Sequence, residues 1–301
     1  MNPILLTLGQ SIDSTFLNFD LWVFRFFGEM QNAFLTIVAK MFTTFGDEAF
    51  MIPMVVVGIV MCFFKKTRKY GFSIIFAVII GTLVTNVLVK PMALRVRPYN
   101  TLQGNPIWPE FEKWYAGVGS LSESDYSFPS GHTTGATELA IAMFLCFRSD
   151  KKKIAYIFPF IALCTAGSRV YLMVHYASDV CGGLIVGCVA GVLGYLLMKL
   201  VMLLFTKTGA DDKIDVGRLF NKMDDKKRGT LRTVAIVVAV LGVYLYAFIP
   251  SLSEGGAQIC AYNGDYNCYN AARIDDEKYP AIDGKEYCKI HWKELSNESS
   301  K

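Results

Sequence analysis

Long apolar runs, separated by short clusters of lysine and arginine, limit what this chain can fold into. The chain has 301 residues, of which 53% are hydrophobic and 14% aromatic, and its mean hydropathy is +0.35. Such a composition is too apolar for an ordinary soluble domain of this length. Several runs approach or exceed the roughly 20 residues needed to cross a bilayer. The sequence therefore predicts an all-α, polytopic membrane protein.

The positions of the apolar runs predict a bundle of about six transmembrane helices. Basic clusters at residues 65–69 and 148–153, and a Lys- and Arg-rich stretch at 207–232, should stay cytoplasmic. The predicted spans are residues 49–64, 71–89, 132–147, 154–167, 178–205 and 233–250. Glycines recur at every fourth position of the fifth span and predict a close helix contact there: Gly183, Gly187 and Gly191.

Three regions are expected along the chain. Residues 1–46 form an aromatic-rich, amphipathic lead-in that should lie in the membrane interface. Residues 47–251 form the membrane core, and residues 252–301 form a polar, Cys-rich tail. Met1 to Ile4 lack the basic region of a cleavable signal peptide, so insertion should rest on the spans themselves.

The segment from Arg169 to Asp179 contains a possible nucleophile. His175 and Asp179 are four residues apart and would share one face of a helix. The carboxylate would hold one imidazole nitrogen protonated and leave the other with a free lone pair. Arg169, within about three helical turns, would add a planar guanidinium that can bind a phosphoryl group through two hydrogen bonds. A lone histidine near a membrane surface is more often merely interfacial, so this segment needs support from others.

Two further segments give that support. Lys90 to Pro98 reads K-x6-R-P and includes Arg97. Residues 128–132 read Phe-Pro-Ser-Gly-His, with Ser130 predicted as a helix N-cap. The first N–H groups of that helix would make an anion site, and His132 in its first turn could protonate a leaving oxygen. With the expected topology, all three segments reach the same, non-cytoplasmic face of the membrane.

K-x6-R-P, P-S-G-H and S-R-x5-H-x3-D, in this order, resemble the signature of the phosphatidic acid phosphatase type 2 superfamily. The resemblance implies that His175 attacks phosphorus to form a phosphohistidine, oriented by Asp179. It implies that His132 protonates the leaving group and then activates water. The residues implied to hold the phosphoryl oxygens are Lys90, Arg97, Ser130, Gly131 and Arg169. No catalytic metal is expected, because three cations and a helix terminus already neutralise those oxygens.

The expected function is hydrolysis of a lipid phosphate or pyrophosphate, such as phosphatidate, phosphatidylglycerol phosphate or a polyprenyl pyrophosphate. The alternatives are a phosphotransferase with a non-water acceptor, a sugar-phosphate phosphatase and a non-enzymatic membrane protein. The expected location is the plasma membrane, with the site facing the non-cytoplasmic side. The expected partners are the lipid substrate and the bilayer. The net charge of +4 does not indicate nucleic acid, since the basic residues cluster at the ends of apolar runs.

Two features remain open beside this core. Glu138 lies inside the third predicted span. It either tunes His132 or contacts the substrate or, more simply, is a buried carboxyl that is paired with another span or neutral. The tail holds Cys260, Cys268, Cys288 and His291, the ligand types of a structural Cys3His zinc site. A disulfide between two of these cysteines is the alternative, because the tail is expected outside the cytoplasm.

Overall fold

A computed structural model describes residues 7–217, 224–253, 259–262, 268–272 and 278–298. Helices make up nearly all the regular structure in these ranges, together with two isolated antiparallel bridges in the tail, Ile259 with Ala271 and Ile282 with Lys285. The prediction of an all-α protein is confirmed.

Thirteen α-helices follow one another along the described residues. They are α1 (Leu8–Glu29), α2 (Ala33–Thr43), α3 (Glu48–Cys62), α4 (Arg68–Thr82), α5 (Lys90–Ala93), α6 (Pro98–Thr101), α7 (Trp108–Gly117), α8 (Gly131–Ser149), α9 (Ile157–Tyr171), α10 (Ala177–Thr208), α11 (Ala210–Lys213), α12 (Asp225–Ser253) and α13 (Lys289–Glu298). A π-helical segment, Leu83–Val89, joins α4 directly to α5.

Four helical stretches in the described part of the chain are long and apolar enough to cross a membrane: Arg68–Gly104, Lys153–Tyr171, Ala177–Thr208 and Lys226–Leu252. The pair Ala33–Gly46 and Glu48–Cys62, bent by 43°, would make a fifth. The expected count of six is not confirmed, because α8 is missing from this set. Threonines and Glu138 lower its hydropathy, and those residues are buried against other helices. A helix shielded from lipid does not need an apolar surface.

The long helix α10 packs along α8 and α4, and small residues set the spacing. A Cβ added to Gly187 would lie 2.5 Å from the Thr137 Cβ and 2.8 Å from the Thr134 carbonyl oxygen. On the other side, a Cβ on Gly194 would lie 2.6 Å from the Ala77 amide nitrogen. The glycine stripe of α10 therefore forms the close helix contact that its spacing predicted.

The basic clusters meet at one end of the bundle. Lys69, at the start of α4, forms an ion pair with Asp150, just after α8. The Lys65 amide donates to the Asp215 carboxylate over 3.2 Å, which brings the segment after α10 to the same end. The three motifs lie at the other end, where α5 ends, α8 begins and α9 meets α10.

Arg95 ties α1 to the motif-bearing end of the bundle. Its guanidinium is buried and contacts the carboxylates of Asp13 at 2.8 Å, Asp20 at 2.9 Å and Asp179 at 2.5 Å. Asp20 also accepts a hydrogen bond of 2.8 Å from the Ser178 amide at the start of α10. One face of α1 is thus packed against the core, while the interfacial placement of residues 1–46 remains a prediction.

Candidate active site

His175 lies in a turn between two helices, not on a helix with Asp179 as expected. Helix α9 ends at Tyr171 and α10 begins at Ala177. Met173 within this turn has φ +60°, which interrupts the helical path. Asp179 stands in the first turn of α10, where its carboxylate accepts a 3.0 Å hydrogen bond from the Tyr176 amide. The expected single helical segment is wrong, although the turn still brings the two side chains together.

The imidazole of His175 is fully buried, and its two nitrogens face different groups. Nδ1 lies 3.4 Å from the Asp179 carboxylate and 3.4 Å from the Ser127 hydroxyl. Ser127 donates to the same carboxylate, so Asp179 is held from two sides. Nε2 lies 3.2 Å from Nη1 of Arg97, which can only donate. These partners assign the proton to Nδ1 and a lone pair to Nε2.

His175 is in its neutral form at neutral pH. Burial, together with the positive charge of Arg97, lowers the pKa of His175 to about 4, although Asp179 acts in the opposite direction. A neutral imidazole has a lone pair on Nε2, and this nitrogen faces Nη1 of Arg97 and the Glu123 carboxylate.

One carboxylate lies at the centre of the three motifs. Oε2 of Glu123 is 2.5 Å from Nη2 of Arg97 and 4.0 Å from Nε2 of His175. Oε1 of Glu123 forms an ion pair with Arg169 and lies 3.7 Å from Nδ1 of His132. Burial would raise the pKa of Glu123, but Arg97 and Arg169 hold it well below its usual range. Both arginines and both histidines therefore surround a single anionic group.

Lys90 and Arg97 share a second carboxylate. Lys90 forms an ion pair with Asp125, and Nη2 of Arg97 lies 2.6 Å from the same side chain. A Cβ added to Gly131 would lie 3.7 Å from Nζ of Lys90, so the ammonium group sits beside the start of α8. Arg97 is further fixed by a 3.1 Å hydrogen bond to the carbonyl oxygen of Val174, next to His175.

Ser130 and His132 occupy the N-terminus of α8 as predicted. The Ser130 side chain caps the helix by accepting from the Thr133 amide, and its own amide donates to the Asp179 carbonyl oxygen at 3.1 Å. The His132 ring remains partly open to the cavity, with 19% of its side chain exposed. Its Nε2 lies 3.5 Å from the Asp47 carboxylate, which is also the N-cap of α3.

A cavity of about 700 Å³ opens from these residues toward α3 and α4. Its polar end is lined by Lys90, Glu123 and His132. Apolar side chains of α3 and α4 line its other side: Met51, Ile52, Val55 and Val78. Ile52 is 64% exposed on the outer surface of α3, so this side reaches the face that would meet lipid.

Glu138, in the second turn of α8 after His132, also lines this cavity. It is buried and packs on Gly81, where a Cβ would meet its carboxylate oxygen. Among the described residues, Oε2 of Glu138 has no hydrogen-bond partner. The simpler expectation was a buried carboxyl that is either paired with another span or neutral. The paired form is not seen for that oxygen, and the neutral form stays a prediction.

The loop before α8 supplies groups that sequence reasoning had not singled out. Glu123, Asp125 and Ser127 all belong to it, and Asp47 and Arg95 join the site from elsewhere. The loop could be recognised from its sequence only as polar and acidic. Its distances to the arginines depend on the folded connection between α7 and α8.

Comparison with known proteins relates this chain to one family. Residues 68–202 match the PAP2 superfamily. The chain is 31% identical over 194 residues to phosphatidylglycerophosphatase B of Bacillus subtilis, covering 62% of this chain and 79% of that protein. It is 28% identical to an undecaprenyl-diphosphatase of Sulfolobus acidocaldarius, covering 57% and 74% of the two chains.

A lipid A 4'-phosphatase of Porphyromonas gingivalis is 32% identical over 43% of this chain and 52% of its own length. Among solved structures, a transmembrane PAP2-type phosphatidylglycerolphosphate phosphatase from Bacillus subtilis is 26% identical, with a TM-score of 0.49, and covers 69% of this chain and 92% of its own. The matched segment contains all three motifs, and on this sequence evidence the chain belongs to the PAP2 superfamily.

Proposed function

We propose that the protein is a membrane-embedded phosphatase that hydrolyses a lipid phosphate or diphosphate through a phosphohistidine at His175. The supporting observation is the group of cations and imidazoles around the Glu123 carboxylate, drawn from all three motifs. The guanidinium and imidazole donors of such a group can bind the several oxygens of a phosphoryl group at once. In this proposal the phosphoryl oxygens take the positions of the carboxylate oxygens of Glu123 and Asp125.

The first step forms a bond between Nε2 of His175 and phosphorus and breaks the bond from phosphorus to the leaving oxygen. Asp179 stabilises the positive charge on the ring through Nδ1. His132 gives its proton to the leaving oxygen. The Gly131 amide and the hydroxyl of Ser130 complete the anion site at the start of α8, beside Lys90, Arg97 and Arg169.

In the second step a water molecule gives a proton to His132 and attacks the phosphohistidine. The N–P bond breaks, inorganic phosphate leaves and His175 returns to its neutral form. Three cations and the helix terminus compensate the charge that develops on phosphorus, so no step needs a catalytic metal. Arg95 acts only indirectly, since it touches Asp179 and not the anion site.

A lipid substrate is supported by the shape of the cavity. Its polar end is lined by the motif residues Lys90, Gly131 and His132, and its apolar side chains on α3 and α4 reach the outer surface at Ile52. An acyl or prenyl chain lying along those side chains would leave its phosphate at the polar end. The names of the relatives, a phosphatidylglycerophosphatase and an undecaprenyl-diphosphatase, point to the same class.

Phosphate release from a lipid phosphate tests this proposal. The wild type in chelator should release phosphate, and His175→Ala should lose at least about 10³-fold in kcat, the scale expected for removal of a nucleophile. Lys113→Ala, an exposed residue of α7, should retain full activity. An active His175→Ala protein would overturn the mechanism. Transfer to an added alcohol in place of phosphate release would identify a phosphotransferase.

We also predict that Glu123 competes with bound anions. Glu123→Gln removes the negative charge from the centre of the site. The inhibition constant of vanadate or inorganic phosphate should therefore fall about tenfold, which is about 1.4 kcal/mol in binding free energy. The matched control is Glu112→Gln, an exposed carboxylate on α7 at the same end of the bundle. Equal or weaker inhibition in Glu123→Gln would show that its carboxylate and the anion do not share a position.

We propose that the protein lies in the plasma membrane with the site opening to the non-cytoplasmic side. Support comes from the bundle, because the basic clusters meet at the end opposite the motifs. Cysteines introduced singly at Gly104 and at Asp212 test this orientation. Whole cells are treated with an impermeant thiol reagent, and the labelled peptides are identified by mass spectrometry. A Cβ at Gly104 meets nothing within 4 Å, so the substitution fits.

Position 104 should be labelled from outside and position 212 only after permeabilisation. A permeant reagent that labels both positions serves as the control. Labelling of position 212 alone by the impermeant reagent would invert the proposed orientation.

A further inference from the structure

The C-terminal tail brings four potential metal ligands together, outside the segment that matches the family. The ligand atoms of Cys260, Cys268, Cys288 and His291 all lie within 4.8 Å of one another, and all four residues are buried. Nδ1 of His291 is 3.4 Å from Sγ of Cys260 and 3.4 Å from Sγ of Cys288. Tetrahedral zinc, with bonds of about 2.3 Å to sulfur and 2.0–2.1 Å to nitrogen, requires S···N distances of about 3.6 Å.

Groups around the cluster orient its members as metal ligands require. The Nε2 of His291 faces away from the sulfurs and lies 3.9 Å from the Glu294 carboxylate. Tyr262 stacks on the imidazole, with ring centroids 3.8 Å apart. The Asn270 side-chain amide points its N–H at Sγ of Cys288 over 3.5 Å, as a donor to a thiolate does. Such outer contacts fix ring orientation and ligand charge in metal sites.

A disulfide explains the cluster less well. A disulfide would use two of the three cysteines and would leave one thiol and a buried imidazole without a role. The structure instead has all three as separate thiols around one point. The cluster includes buried Ile290 and packs against Tyr126, Tyr262 and Tyr287, and a small module of this kind gains stability from a covalent or metal link.

The tail is attached to loops of the candidate active site. The side chains of Asn270 and Asn100 meet at 3.0 Å, and the Tyr269 amide donates to Asn100 over 2.8 Å. Asn100 is in α6, three residues after Arg97. Tyr126, between Asp125 and Ser127, packs against the cysteine cluster. The described tail residues therefore contact both the helix that follows Arg97 and the loop that contacts Lys90 and Asp179.

Helix α13 extends from the cluster to the cavity. Lys289, Ile290 and Lys293 line the same cavity as Lys90 and Tyr126. Lys289 and Lys293 are four residues apart on one helix face. His291, between them in sequence, belongs to the cluster, so the cluster fixes the rotation of this helix.

We propose that Cys260, Cys268, Cys288 and His291 bind one structural zinc ion, which holds α13 at the cavity so that Lys289 and Lys293 form a second anion subsite. The ion takes no part in catalysis. The ligand of the second subsite is a second phosphate of the substrate, beyond the reacting phosphoryl group. This subsite rests on the proposed phosphatase function, whereas the zinc site does not.

Metal analysis of the purified full-length protein tests the zinc site without any activity measurement. We expect about one zinc per chain, lost in Cys288→Ser and retained in Cys181→Ser, an exposed cysteine of α10. All eight cysteines should react as thiols after denaturation in chelator. Wild-type protein without zinc, and with two fewer reactive thiols, would establish a disulfide and overturn the proposal, whether or not the variants fold.

A matched pair of substrates tests the subsite: a polyprenyl diphosphate and the monophosphate of the same chain. The double variant Lys289→Ala/Lys293→Ala should raise KM for the diphosphate about five- to tenfold and change KM for the monophosphate less than twofold. A change of this size is typical for the loss of two solvent-accessible charges. Lys285→Ala, in the tail but outside the cavity lining, is the control. Equal losses on both substrates would overturn the subsite. A wild type that hydrolyses neither substrate would contradict the proposed function and leave the zinc result standing.

Discussion

Buried positive charge is the constraint on which this end of the bundle depends. Arg95, Arg97 and Arg169 are each at most 3% exposed. A guanidinium cannot lose its proton in a protein, so each must find anionic partners inside the fold. Arg95 finds them in Asp13, Asp20 and Asp179, and thereby joins α1, the segment after α5 and α10.

Arg97 and Arg169 are compensated differently. Their carboxylate partners, Glu123 and Asp125, come from a loop, and both have side chains that are about a quarter exposed to the cavity. A partly exposed carboxylate can be replaced by another anion at a lower cost than the fully buried carboxylate of the Arg95–Asp179 pair. In the proposed mechanism Arg95 therefore holds the structure, while Arg97 and Arg169 bind the substrate.

The positions of the motif residues at the ends of apolar runs predicted that they gather at one end of the bundle. Lys90, Arg97, His132, Arg169 and His175 do meet at one end, because charged residues at the ends of apolar runs are constrained by topology. The path of the chain through His175 was not predictable from spacing. A four-residue separation fits a helix as well as a turn into a helix N-terminus, and only the backbone at Met173 distinguishes them.

The count of six transmembrane helices is not confirmed, for a related physical reason. A span is recognised from sequence by the apolar side chains that face lipid. Helix α8 packs against α10 and α4 instead, so its polar residues do not show whether it crosses the membrane. The role of the acidic loop was also beyond the sequence. Glu123 lies 46 residues from Arg169 and 26 from Arg97, and its contacts with both depend on long-range packing.

Trapping the covalent intermediate tests the central claim most directly. Wild-type protein mixed with a radiolabelled lipid phosphate and quenched in alkaline detergent within the first turnover should carry label that is stable to base, labile to acid and located on the peptide containing His175. His132→Ala, impaired in the second step, should accumulate more of it when the leaving group is nitrophenolate. Turnover without any labelled protein, or label on a residue other than His175, would contradict the account.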